Sequence, residues 1–232
     1  MNASRKTAII VGILYIIGTV AGVLSVFFTN SIIEDSNFLI QISANENRVI
    51  IGALFVLLMG LALAMVPVML FPILKKPHEA LALGYVVFRG ALETVVYIAL
   101  VICWLFLVVL SQEYAVAGAP AEPYFQTLGA LLRDGHASVN TILIIVFSLG
   151  ALMLYSMLYQ TRLIPRWISV WGFIAILLHI ATAFLLMFHL VGSAFSPVML
   201  LLNFPIFLQE MVMAVWLIVE GFSPAVIALQ NA

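Results

Sequence analysis

Apolar residues run along this chain in six long blocks, each closed by a short polar interval. A helix needs about 20 mostly apolar residues to cross the hydrocarbon core of a bilayer. By that measure the pattern predicts spans at Thr7–Phe28, Val49–Leu74, Leu81–Leu110, Asn140–Leu158, Trp167–Leu190 and Ser196–Val219. Arg5 and Lys6 precede the first block as they would a signal peptide. Its apolar stretch is too long for one, and no small-x-small cleavage site follows, so a retained helix is expected. Two outer intervals are longer than turns. In Asn30–Arg48, Ile32, Ile33, Phe38, Leu39 and Ile42 recur at roughly helical spacing, which predicts a surface helix or an outward extension of the second span. Ser111–Ser138 opens with Ala117, Gly118 and Pro120, and then Tyr124, Phe125, Leu128, Leu131 and Leu132 follow with helical period. A short amphipathic or re-entrant helix capped by Gly135 is expected there. No internal repeat supports an inverted-repeat plan.

Composition turns this pattern into a membrane pattern. The 232 residues are 65% hydrophobic and 8% charged, with a mean hydropathy of +1.24, whereas soluble domains are about 45–50% apolar and about 25% charged. A soluble globular protein is thereby excluded, and so is intrinsic disorder, which needs low hydrophobicity and high net charge. A net charge of −1 leaves no basic patch for nucleic acid. Cys103 is the single cysteine, so no internal disulfide forms, and there is no CxxC or Cys/His cluster. The expectation is an all-α integral membrane bundle of six transmembrane helices with short amphipathic outer helices. Residues 1–232 form one polytopic domain, its partner is the lipid bilayer, and no cofactor is expected. The pattern leaves the oligomeric state open; Gly18 and Gly22 form a GxxxG whose expected role is packing within one chain.

Basic residues set the orientation of such a protein. Arg5, Lys6, Lys75, Lys76, Arg162 and Arg166 fall on one side of the predicted membrane, and Arg48 and Arg133 on the other. This bias predicts a multi-pass protein of the cytoplasmic membrane with both termini cytoplasmic. Glu34, Asp35, Glu46, Glu113, Glu122 and Asp134 then lie outside. Trp167, Trp171 and Trp216 fit interfacial anchors.

Charges within a span cost about 2.5–3.5 kcal/mol each on insertion scales, so they face the bundle interior and find partners. Arg89 and Glu93 stand one turn apart in the third span, and Tyr85 and Tyr97 extend their stripe. Gln209 and Glu210 sit in the last span, with Asn203 nearly in line with Glu210. At about 1.5 Å per residue, Arg89, Glu93, Glu210 and His179 all reach a level near the midplane. Two readings stay open. The cluster is an ion-pair lock between helices, or it is a polar site for a proton, a cation or a small ligand. One arginine against two carboxylates leaves a negative charge or a bound proton unexplained, and such a carboxylate can titrate. His136 and His189 fall near the outer surface.

A second constellation uses sulfur. Met65 and Met69, and Met153 and Met157, repeat an MxxxM spacing in the second and fourth spans. Soft thioethers select Cu(I), yet with ten methionines in an apolar chain packing is the expected role. HExxH, GxSxG and Walker patterns are missing, no aspartate falls within a span, and catalysis is not expected.

Several segments resemble a bacterial membrane family catalogued as domain of unknown function 4386. They are SANENRVIIGALF (Ser43–Phe55), GYVVFRGALE (Gly84–Glu93), YFQTLGALL (Tyr124–Leu132), LIPRWISVWG (Leu163–Gly172) and LNFPIFLQEMVMAVWLIVEGF (Leu202–Phe222). The resemblance runs over essentially the whole chain. It implies a small polytopic bacterial membrane protein and supplies no catalytic residues. It draws attention to Arg89, Glu93, Gln209 and Glu210, and to Asn45, Glu46 and Asn47.

Overall fold

In lipid, every backbone N–H and C=O must be satisfied inside its own segment, so long apolar runs become helices. The computed structural model describes residues 2–117, 122–191 and 196–231, and among these it holds helices and no strand. Helix α1 spans Ala3–Ile33, α2 Phe38–Ala44 and α3 Glu46–Tyr85. A π-helical segment, Val86–Leu92, joins α3 to α4 (Glu93–Ala117). Then follow α5 (Glu122–Thr161), α6 (Arg166–Met187), α7 (Pro197–Val219) and α8 (Pro224–Asn231).

Five stretches are long and apolar enough to cross a membrane: α1, Glu46–Ala117, α5, α6 and α7. The second has 72 residues, a length of over ~100 Å if it ran straight. It does not. His78 follows Pro77 and leaves the helical region at φ −150°, ψ 71°. There the chain doubles back, so that Gly60 meets Tyr97 and Gly90 meets Pro67. The break falls in the polar Lys75–Glu79 segment, where water can take up the freed backbone groups. The predicted second and third spans lie on its two arms.

The same antiparallel register recurs around the bundle. Gly18 and Gly22 face Leu63 and Met59, so the GxxxG packs α1 on α3 within one chain. Trp104 stacks on His136, Gly172 meets Tyr155, and His179 bonds to Asn203. Finally Arg5 of α1 donates to the carbonyls of Leu217, Ile218 and Val219 at the close of α7. The long helices thus form a closed ring in chain order, with α3 also touching α5 across it. The start of α1 and the close of α7 thus lie at one end of the bundle. Arg162 and Arg166 line a cleft with Glu220 and Phe222 there, and the α1–α3 register brings Lys75 and Lys76 to the same end. The six basic residues of the predicted inner side therefore gather together.

Of the two outer intervals, the second differs from expectation. The first holds a short amphipathic helix, α2: Phe38, Leu39 and Ile42 are buried, Ile40 and Ala44 are exposed, and Phe38 and Leu39 face Gly129 of α5. In the second, no separate helix forms. Its residues from Glu122 onward belong to α5, 40 residues that run unbroken through Gly135, which is therefore no cap. A glycine inside a helix costs about 1 kcal/mol, and packing outweighs it. The Arg133 guanidinium lies 4.7 Å from the centre of the Phe38 ring, and the His136 ring stacks on Trp104 at 5.1 Å. Gly118 and Pro120 lie outside the described residues.

Candidate functional site

Arg89 lies in the π-helical segment of the second arm, between the His78 break and α4. Such segments widen the helix by one residue per turn and occur often at functional sites. The widened turn is flanked by Pro67 at Gly90 and by the bare backbone of Gly150, which lets α5 approach the Arg89 main chain.

From there the guanidinium reaches across the bundle. Its Nη1 donates to both oxygens of Glu93, at 2.7 Å and 2.9 Å. Its Nη2 donates to Glu210 Oε1 of α7 at 3.0 Å. The flat face of the same group covers the Phe147 ring of α5, 4.2 Å from its centre. Arginine suits this place because its planar fork binds carboxylates and stacks on aromatic rings at once. The side chains of Arg89 and Glu93 are 2% and 1% exposed, and that of Glu210 15%. The Tyr97 hydroxyl interacts with the Glu93 carboxylate from the next turn. The hydroxyls of Tyr15 and Tyr85, 3.4 Å apart, add a polar pair within electrostatic reach of Arg89.

The remaining predicted residues form separate groups around this triad. Gln209 turns away from Glu210. It accepts from the Tyr155 hydroxyl at 2.6 Å and donates to the Ile168 carbonyl at 3.1 Å, joining α5, α6 and α7. Asn203 bonds through Oδ1 to His179 Nδ1 at 2.7 Å, and Thr182 donates to the His179 carbonyl. The His179 and Phe147 rings form a T-shaped pair with centroids 5.1 Å apart, so Phe147 touches both the Arg89 triad and the His179–Asn203 pair.

Three contributors were missing from the sequence reading: Tyr15, Phe147 and Tyr155. A buried tyrosine hydroxyl usually needs a partner, and that signal points to Tyr15 and Tyr155. Phe147 carries none, being one phenylalanine among 16.

The methionines do not share one setting. Met65 is 45% exposed on the outside of the bundle, Met157 is fully buried, and the Met153 sulfur packs at Gly84. Among the described residues, no group of three or more His, Cys, Asp or Glu is placed to hold a metal ion.

Chemically, the triad joins one guanidinium to two carboxyl groups. Two cavities lie toward the basic end of the bundle, lined by residues such as Arg162 and Trp216 or Tyr15 and Phe222, and neither touches Arg89. With side chains 2%, 1% and 15% exposed, the triad can hold charge and hydrogen bonds largely out of solvent. No curated protein and no solved structure matches this chain. A family match covers residues 10–221, which takes in the hairpin with its π segment, the Phe147 helix and the Glu210 helix; the chain belongs to the family of the domain of unknown function DUF4386.

Proposed function

We propose that this multi-pass membrane protein crosses a bacterial cytoplasmic membrane six times, with both termini inside, and binds and passes a proton at the Arg89–Glu93–Glu210 triad. One observation carries the reading: a single guanidinium holds two carboxylates in a nearly dry setting. Fastening the α3–α4 hairpin to α7 needs only Arg89 and Glu210. Glu93 is on the same stretch of chain as Arg89 and fastens nothing across the bundle, while its burial as a charge is costly. A proton shared by the two carboxylates balances the cluster. A cation or small amphiphile would need room beside Arg89, and a proton needs none. Glu210, the more exposed carboxylate, is the exchanging end, and Arg89 orients the pair. His179 and Asn203 form a second polar station beyond Phe147.

The test is proton flux into liposomes holding the purified protein, with thermal unfolding in detergent between pH 5 and 8. Glu93→Gln keeps shape and removes only the titrating group. Wild-type flux that Glu93→Gln loses, with a melting temperature that varies with pH in the wild type alone, is the expected result. Equal pH profiles and no flux from either protein would reject proton binding at Glu93. The second reading, a structural or sensory module in which the triad only locks helices, is favoured by the Arg89–Glu210 pair that joins two helices at 3.0 Å, and that outcome would select it.

A further inference from the structure

At the end of the bundle where the six basic residues gather, the α5–α6 turn and the α7–α8 turn leave a cleft of about 480 Å³ between them. Arg162, Arg166, Trp216, Glu220 and Ser223 are among its walls. We propose that this cleft binds the headgroup of an anionic phospholipid, with the phosphodiester held by Arg162 and Arg166 and headgroup hydroxyls donating to Glu220.

Backbone geometry marks Arg162 first. It follows the last residue of α5, its N–H bonds to the Leu158 carbonyl, and its φ is +57°. That left-handed position after a helix usually belongs to glycine, which has no Cβ to clash. Here the chain keeps an arginine in it. Its side chain is exposed and has no hydrogen bond or ion pair to any described residue. Arg166 is fixed differently: its Nε donates to the Tyr159 carbonyl, and its guanidinium lies 4.8 Å from the centre of the Tyr159 ring. Its outer nitrogens remain for a ligand. A phosphodiester between these two groups would accept charge-assisted bonds of the kind arginine forms well.

The surroundings fit an anion that arrives with a bilayer. The negative end of the α7 dipole points toward this cleft and would repel a phosphate. Arg5 covers it by donating to three of the last α7 carbonyls. Trp167 and Trp171 stack in the first turns of α6, 6.3 Å apart, next to Arg166, and tryptophans of this kind sit at headgroup level. Two guanidiniums against the Glu220 carboxylate leave the cleft with one excess positive charge, which one phosphodiester neutralises. The Glu220 N–H bonds to the Trp216 carbonyl, but its carboxylate makes no bond to the described residues, and a hydroxyl-bearing headgroup supplies its donor.

The experiment measures lipid retention by the full chain in neutral detergent, read by native mass spectrometry and by the shift of melting temperature. The probes are phosphatidylglycerol, phosphatidylcholine and inorganic phosphate. The variants are Arg162→Gly, Arg166→Gln and, as a control outside the cleft, Lys75→Gln. Glycine takes the left-handed conformation freely, so Arg162→Gly removes the guanidinium while keeping the turn. The expected result is tighter retention of phosphatidylglycerol than of phosphatidylcholine, weakened ~10-fold by loss of either arginine and unchanged in Lys75→Gln. Equal retention of both lipids, or a preference that survives Arg162→Gly and Arg166→Gln, would overturn the proposal. So would a preference weakened as much by Lys75→Gln, since that would make it a general effect of surface charge. Full protection by millimolar inorganic phosphate would assign the cleft to a free anion instead of a lipid.

Discussion

Gly150 brings α5 so close to Arg89 that a Cβ on it would stand 3.2 Å from both the nitrogen and the Cβ of Arg89. The neighbouring atom is backbone, and it belongs to the widened π turn, so neither side can give way without moving the guanidinium. Gly150→Ala should lower stability by about 1–3 kcal/mol, the usual cost of overpacking. Gly135 sits in the same helix with nothing within 4 Å of its added Cβ, and Gly135→Ala should raise stability by about 0.5–1 kcal/mol. Thermal unfolding of both variants in one detergent compares them directly; equal shifts would mean that α5 does not bear on Arg89.

Removing Arg89 leaves Glu93 and Glu210 buried together without their counter-charge. Arg89→Leu should cost on the order of 3–5 kcal/mol, as for buried pairs broken on one side. Adding Glu210→Leu should recover part of that loss, and adding Glu93→Leu should recover most of the remainder, since apolar replacement of a whole buried network is often neutral. Melting temperatures of the single, double and triple variants form the series. No recovery along it would show that Arg89 stabilises the bundle through Phe147 rather than through charge.

Phe147 can be tested apart from the carboxylates. Phe147→Leu keeps most of the apolar volume and removes the ring under Arg89 and the T-shaped contact with His179. A desolvated cation–π contact is worth about 2 kcal/mol, and a drop in unfolding free energy near that size is expected. In an Arg89→Leu background the same change should cost clearly less, and a double-mutant cycle measures the difference.

Tyr155 holds Gln209 from the far side of the bundle at 2.6 Å. Tyr155→Phe leaves the Gln209 amide oxygen buried without a donor, which should cost about 1–3 kcal/mol. Proton flux should persist in this variant, because neither residue bonds to Arg89, Glu93 or Glu210. Loss of flux at unchanged stability would enlarge the site to include Gln209.

The orientation is checked by cysteine labelling in a Cys103→Ala background. Cysteines at Lys76 and Arg162 should be shielded from an impermeant maleimide in intact cells, and those at Asp35 and Glu122 should react. The reverse pattern would invert the protein in the membrane.

Much of the architecture was legible in order and length. The sixth block shows it: predicted as Ser196–Val219, it forms α7 over Pro197–Val219, with Ser196 as the cap that accepts from the Met199 N–H. That legibility has a physical source. A bilayer leaves backbone groups no partner outside their own segment, so apolar length by itself specifies a helix. The same rule says nothing about the outer intervals, where water or protein can serve. There Gly135 reads as a cap, and only the contacts of Arg133 and His136 carry the helix through it.

Charge also made Arg89, Glu93 and Glu210 conspicuous, because a charge in an apolar run is costly wherever it points. Partners were another matter. Asn203 and Gln209 share a helix with Glu210, yet Asn203 bonds to His179 and Gln209 to Tyr155. Which neighbour a side chain meets depends on the rotation of each helix about its axis, and that rotation is settled by close packing at points such as Gly150 against Arg89 and Gly172 against Tyr155. The sequence alone determined that this chain is a helical membrane protein with three buried charges. The tertiary structure decided that one guanidinium binds both carboxylates over the Phe147 ring, because pairing across helices is a property of packed surfaces and not of spacing along any one of them.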